Sequence, residues 1–251
     1  MTVTSDEDLL KLQAIGRIVA RTLQIMGAAI RPGMTTAELD ALGRRVLTDS
    51  GAQSAPELAY DFPGATCISV NEQVAHGIPG SRVIEPGDLV NIDVSAEKDG
   101  FFADTGASFP VPPVLPEIER LCRDGRRAMW AGIRQIRTGQ PLASIGNAVG
   151  AFAKKNGYTL IRNLASHGIG RSLHEEPTEI ATWPNPSERR RMTEGMVFTV
   201  EPFLSLGADW AEGGDDEDPW TLYSDPEAPT VQYEHTVVVT RRGPVVLTLA
   251  N

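Results

Sequence analysis

The sequence predicts an α+β fold built from two duplicated units, related by a pseudo-twofold axis, with a curved antiparallel sheet inside and helices packed outside. Three observations lead there. A ten-residue segment recurs 106 residues later, amphipathic helices flank each copy, and each helical pair is followed by strand-like sequence carrying two carboxylates. With 251 residues, 41% of them apolar, the chain can bury a full core.

The first helix is expected from about Asp6 to Gly27, with Thr4 and Glu7 as a capping box and Leu10, Ala14, Ile18 and Val19 on one face. IRPGMTTAEL, starting at Ile30, then aligns with IRTGQPLASI, starting at Ile136. The helix before the second copy carries Ile118, Leu121, Cys122, Met129, Ile133 and Ile136 at helical period. After each copy a helix ends at a glycine, Gly51 or Gly157, as a C-cap requires.

In LVNIDVSAEKDGFFADTGASFPV, Asp99 and Gly100 form a hairpin turn signal. The spacing places Asp93 and Asp104 nearly opposite each other, on the face shared with Asn91 and Ser95. Two further strands, 196–203 and 231–240, hold Glu201 and Glu234. The loop between them includes an acidic run, 212–218, read as solvated and not as a metal site because it lacks ordered flanking strands. The arginines at 189–191 read as a solvated turn.

Formal net charge is −10, which disfavours phosphate backbones and anionic lipid surfaces as partners. No basic and apolar leader opens the chain, and no apolar run approaches the roughly 20 residues of a membrane span, so a cytoplasmic protein is expected. Two cysteines are too few for a disulfide framework, and Cys122 sits on an apolar helix face as a core residue.

The four histidines all lie in motifs rich in turn residues and carboxylates: His76 in HGIP, His167 and His174 in SHGIGRSLHEEP, and His235 in QYEHT. This grouping predicts one polar site assembled from distant segments. Taken singly, a histidine in a glycine-flanked turn is a surface residue and each carboxylate a half-exposed strand position. The set together, with two HGI motifs, is poorly explained by independent surface residues. Four carboxylates and an imidazole suit two divalent cations such as Mn, Fe(II), Co or Zn, with charges that balance. Such a pair can share one water and lower its pKa, which describes a hydrolytic site.

In order along the chain, HGIP, Asp93 in NIDVS, Asp104 in ADTG, His167 in SHGIG, His174 in LHEEP, Glu201 in TVEPF and Glu234 in QYEHT resemble the methionine aminopeptidases of the pita-bread (creatinase/aminopeptidase) fold. The match runs from the first helix to the last strand. It implies that Asp93, Asp104, His167, Glu201 and Glu234 bind two metal ions, with Asp104 and Glu234 bridging and Glu201 also shuttling a proton. His174 would contact the scissile carbonyl oxygen and His76 the amide nitrogen. Only 27 positions separate His174 from Glu201, leaving no room for the type II insertion. The chain also opens directly at the catalytic unit, so it resembles the short bacterial type I form.

Some positions depart from the family pattern. Tyr60 stands where His is common, Asp61 where Gly is, Leu173 where an aromatic is, and Ser166 where Gly is usual. Phe62, Cys67, Leu173 and Trp220 still offer an apolar pocket suited to an unbranched thioether. The resemblance therefore implies a single catalytic domain over 1–251, active as a monomer on the N-termini of nascent polypeptides. It would remove the initiator methionine when the next residue is small. The alternatives are an Xaa-Pro or broader-specificity aminopeptidase of the same fold, and a non-catalytic pita-bread module that binds protein or RNA. The usual N-terminal domain of Xaa-Pro enzymes is not seen ahead of this unit, and all five ligands are present.

Overall fold

The computed structural model describes residues 1–250, with five helices: α1 (Asp6–Ala29), α2 (Thr36–Asp49), α3 (Ala55–Tyr60), α4 (Pro116–Ile133) and α5 (Ala143–Asn156). The duplication read from the sequence is structural. Gly33 and Gly139 both take positive φ, 86° and 87°, in the turn between the paired helices. Gly33 N donates to Ile84 O at 2.9 Å, and Gly139 N to Met192 O at 2.8 Å. Gly51 and Gly157 likewise end α2 and α5 with φ of 68° and 78°, a conformation glycine adopts without steric cost.

The start and face of α1 differ from expectation. Its N-cap is Ser5, whose hydroxyl accepts from Asp8 N at 3.1 Å, while Thr4 closes onto the Asp8 carboxylate. Its buried face is Leu12, Ile15, Val19 and Met26, all fully buried, whereas Leu10 is 62% exposed. Gly27 does not end the helix, which continues to Ala29; a side chain there would collide with the Phe109 ring.

Strands Leu89–Lys98 and Phe101–Pro110 form the expected hairpin about Asp99 and Gly100. The pairing register lies two residues from the one the sequence suggests. Asp93 faces Gly106 and Asp104 faces Ser95, so the two carboxylates are diagonal neighbours on one face. Strands Gln53–Ser54 and Cys67–Val70 flank this hairpin on its other side. In the second half, His235–Thr240 pairs with Val197–Val200, which pairs with Ser166–Gly168.

The two long strands expected to carry Glu201 and Glu234 are each interrupted at the glutamate. Val197–Val200 stops before Glu201, and Phe203–Ser205 resumes on another sheet with Thr230–Gln232. Pro202 has no N–H to offer a ladder, and Glu201 N donates instead to Ser166 Oγ at 3.0 Å. Glu234 N donates to Gly106 O at 2.9 Å, crossing to the hairpin of the first half. The antiparallel sheet is thus curved and broken into sections, and the seam between the halves runs through the two glutamates.

The acidic run also differs from expectation. It joins strands Trp210–Gly213 and Leu222–Asp225, which pair with each other, although its side chains are solvated. Arg191 is not free either: it bridges to Pro141 and donates to Gly139 O, closing onto the second repeat segment. No described helix is long and apolar enough to cross a membrane.

One apolar core lies under α1, α2 and the hairpin, and another between α4, α5 and the second-half sheet. Residues cross between them: Ile169, Val197, Val238 and Leu247 belong to the first-half core. Gly16 lies where α1 meets the backbone of Leu247, and an added Cβ would strike Leu247 O. Alanine normally gains up to about 1 kcal/mol over glycine inside a helix. At this contact backbone atoms would have to move, so Gly16→Ala is expected to lose about 1–3 kcal/mol in urea unfolding. A stabilised variant would show that α1 can slide on Leu247.

Candidate metal centre

Asp93 projects from the centre of the first-half hairpin, and Asp104 comes from its return strand. A step of 108 residues relates Asp93 to Glu201, as it relates Ile84 to Met192 in the matching backbone bonds, so these two carboxylates occupy equivalent places in the two halves. Asp104, His167 and Glu234 each present a ligand atom, all within 4.8 Å of one another. His167 Nε2 lies 3.6 Å from Glu201 Oε1 and 4.0 Å from Asp104 Oδ2. All five residues expected as ligands are brought together.

Neighbouring side chains hold each ligand in place. Thr199 Oγ1 accepts from His167 N at 3.1 Å and donates to Glu201 Oε1 at 2.6 Å. Gln232 Nε2 donates to Asp93 Oδ2 at 3.2 Å and to Glu234 Oε2 at 3.0 Å, while its carbonyl oxygen accepts from Asn91 at 2.9 Å. Gly106 makes room for this carboxamide, since any side chain there would overlap Gln232. The sequence reading did not single out Thr199 or Gln232. Each stands two residues before its glutamate, the strand period that places side chains on one face, and this was the available signal.

The electrostatics of the protein alone are unfavourable. Burial pushes Glu201 up to about 8. It raises Asp104 and Glu234 further from the ordinary carboxylate range, and mutual repulsion with neighbouring carboxylates adds to both shifts. Burial holds His167 down to about 3, so the imidazole is neutral and its lone pair can bind a metal. Asp104 Oδ1 and Glu234 Oε1 are buried with no hydrogen-bond partner. These are oxygens of the two residues expected to bridge. Clustered acidic oxygens, two of them orphaned, beside a neutral imidazole fit divalent cations and little else.

A cavity of about 290 Å³ opens onto this cluster. Its walls include Phe62, Cys67, Leu173 and Trp220, together with His76 and His174. The Phe62 and Trp220 rings meet edge-on at 5.5 Å, and Asp218 accepts from Trp220 N, so part of the acidic run orders the pocket. Burial raises the Cys67 thiol well above its ordinary pKa, which keeps it an uncharged wall. His76 has φ of 54°, a conformation disfavoured for a residue with a Cβ, and Gly77 behind it packs on the Ile68 backbone. Tyr60, noted in the sequence only as a departure, bonds to His174.

His235 does not join the site. It follows Glu234 directly and lines a rear cavity, with Nδ1 2.9 Å from Thr248 Oγ1 and its ring against Trp130. Three of the four histidines therefore meet at the centre.

The profile of Metallopeptidase family M24 matches residues 11–241. The chain is 44% identical to "Methionine aminopeptidase 2" of Bacillus subtilis (strain 168) over 250 residues, covering 99% of each. It is 35% identical to "Methionine aminopeptidase" of Escherichia coli (strain K12), covering 99% of this chain and 94% of the relative. In three dimensions it resembles the crystal structure of methionine aminopeptidase from Rickettsia prowazekii, with TM-score 0.94 and 35% identity over 99% of this chain and 100% of that one. The pita-bread fold, the ligand cluster and these full-length likenesses agree: this chain belongs to metallopeptidase family M24.

Proposed function

We propose that this chain is a type I methionine aminopeptidase, acting as one catalytic domain in the cytoplasm on the N-termini of nascent polypeptides. It would release the initiator methionine when the following residue is small. The observation that carries this reading is the apolar cavity ending at the carboxylate cluster. An unbranched side chain held in that cavity would lie beside the carboxylates. The likeness to enzymes named methionine aminopeptidase supports the same reading.

Asp93, Asp104, His167, Glu201 and Glu234 would hold two divalent ions among Co, Mn, Fe(II) and Zn. When bound, such ions supply positive charge that lowers the pKa of water and polarises a carbonyl. Phe62, Cys67, Leu173 and Trp220 would enclose the methionine side chain and exclude water from it. His174 would donate to the carbonyl oxygen as negative charge grows there, and His76 would contact the peptide nitrogen. Glu201, steadied by Thr199, would take a proton from the attacking water and return it to the leaving amine.

Three outcomes test the reading. Metal-stripped protein given Mn²⁺, Co²⁺, Fe²⁺ or Zn²⁺ should release methionine from Met-Ala-Ser and leave Leu-Ala-Ser and Ala-Pro-Ser intact; cleavage of the proline peptide would favour the Xaa-Pro alternative. Glu201→Gln should keep the wild-type melting temperature within a few degrees, yet lose about 10²–10⁴-fold in kcat. Full activity in that variant would remove the shuttle role.

The third concerns pH. Above about pH 7.5 the histidines are largely neutral in both folded and unfolded chains, because folding lowers their pKa values from the usual 6.5. Glu201 still holds a proton in the folded state up to about 8, whereas the unfolded chain has lost it. The folded state then binds more protons, so stability falls as pH rises through this window. The melting temperature of EDTA-treated protein should drop between about pH 7.5 and 9, and saturating Mn²⁺ should abolish the drop. A metal-free melting temperature independent of pH would mean that the carboxylates are not buried together.

A further inference from the structure

We propose that Tyr60 is a positioning residue for His174: its hydroxyl donates to Nδ1 and so leaves Nε2–H as the donor offered to a substrate carbonyl. This rests on the peptidase reading above. The two residues are 114 apart in sequence, and their atoms lie 2.6 Å apart. Among the described residues, no other side chain or backbone group bonds to the phenol oxygen or to either ring nitrogen of His174.

A neutral imidazole carries one N–H, and the partner at one nitrogen decides which. A phenol donating to Nδ1 puts the proton on Nε2. The reverse arrangement, Nδ1–H donating to the phenol oxygen, would leave Nε2 as a bare lone pair that repels a carbonyl oxygen. At neutral pH a phenol retains its proton and can serve as the donor. His174 lies against His167, ring centroids 3.9 Å apart and planes tilted by 42°, so its ring is confined by that neighbour and its tautomer is set by Tyr60.

Tyr60 is itself held in place. It is the last residue of α3, and Asp61 follows at φ 54° with its N–H returned to Glu57 O and Pro56 O. That turn lays the Tyr60 ring near Trp220, centroids 6.5 Å apart, and Trp220 meets Phe62. The departures at positions 60 and 61 therefore act together. Asp61 supplies the left-handed turn that a glycine commonly gives, and Tyr60 reaches across the cavity mouth to the opposite wall.

Long-range ¹H–¹⁵N spectra of the zinc-loaded protein, with His174 assigned through His174→Gln, read the tautomer directly. Wild type is expected as a single Nε2–H form and Tyr60→Phe as a mixture, with unchanged metal stoichiometry and melting temperature. Hydrolysis of Met-Ala-Ser by Tyr60→Phe should lose roughly tenfold in kcat, with KM within about twofold, since a misdirected donor costs transition-state stabilisation. The same tautomer ratio in both proteins, or an unchanged kcat, would overturn the assignment. A wild type that cleaves no peptide yet shows the tautomer change would remove the proposed function and leave the hold of Tyr60 on His174 intact.

Discussion

The withdrawal from water of four clustered carboxylates, three of them buried and Asp93 half-buried, is the constraint around which this molecule is organised. Asp93, Asp104, Glu201 and Glu234 are drawn from both halves of the chain into one cluster, where burial shifts each toward its protonated form. No lysine or arginine approaches them among the described ion pairs. The protein leaves their neutralisation to cations, and supplies only what fixes the oxygens: Thr199, Gln232, Asn91 and the backbone seam. Folding this chain and building its reactive centre are one problem.

The duplicated architecture makes that assembly possible. Two similar units meet along an approximate twofold axis, and Asp93 and Glu201 mark equivalent points on either side of it. The symmetry fails at the return strands, where the second unit breaks at Glu234 and crosses to Gly106 while the first runs on unbroken through Asp104. His167 also belongs to the second unit alone. The centre is therefore symmetric in framework and asymmetric in ligands, which gives the cavity a distinct end for the substrate.

Much of the fold was legible because its signals are local. Helix period, the paired glycines and the Asp99–Gly100 turn each depend on neighbours in sequence, and each was found where expected. The ladder register differs by two residues from the expected one, since a turn dipeptide does not state which residues face each other. The buried face of α1 was misassigned because Leu10 and Leu12 are equally apolar, and only packing against the hairpin separates them. Continuous strands are expected through Glu201 and Glu234 because the apolar runs are continuous; what breaks them is Pro202, a local signal, together with hydrogen bonding to Ser166 and Gly106, which no local pattern records. The gathering of the four carboxylates was legible because the need to neutralise acidic residues in apolar runs is itself visible in the sequence, whereas the choice of His167 rested on the resemblance of its SHGIG motif. His235 fell outside the site because the residue beside an inward-facing one on an extended chain faces outward.

That last alternation has a wider consequence. Glu234 and His235 are consecutive and both line the rear cavity with Trp130 and Thr248, while the Glu234 carboxylate meets Asp104 and His167, so a single peptide links the rear cavity to the carboxylate cluster. Any shift that Trp130 or Thr248 imposes on His235 is handed to Glu234 through their shared backbone. Drift at these rear positions is therefore answerable to selection on a reaction in which none of them takes part.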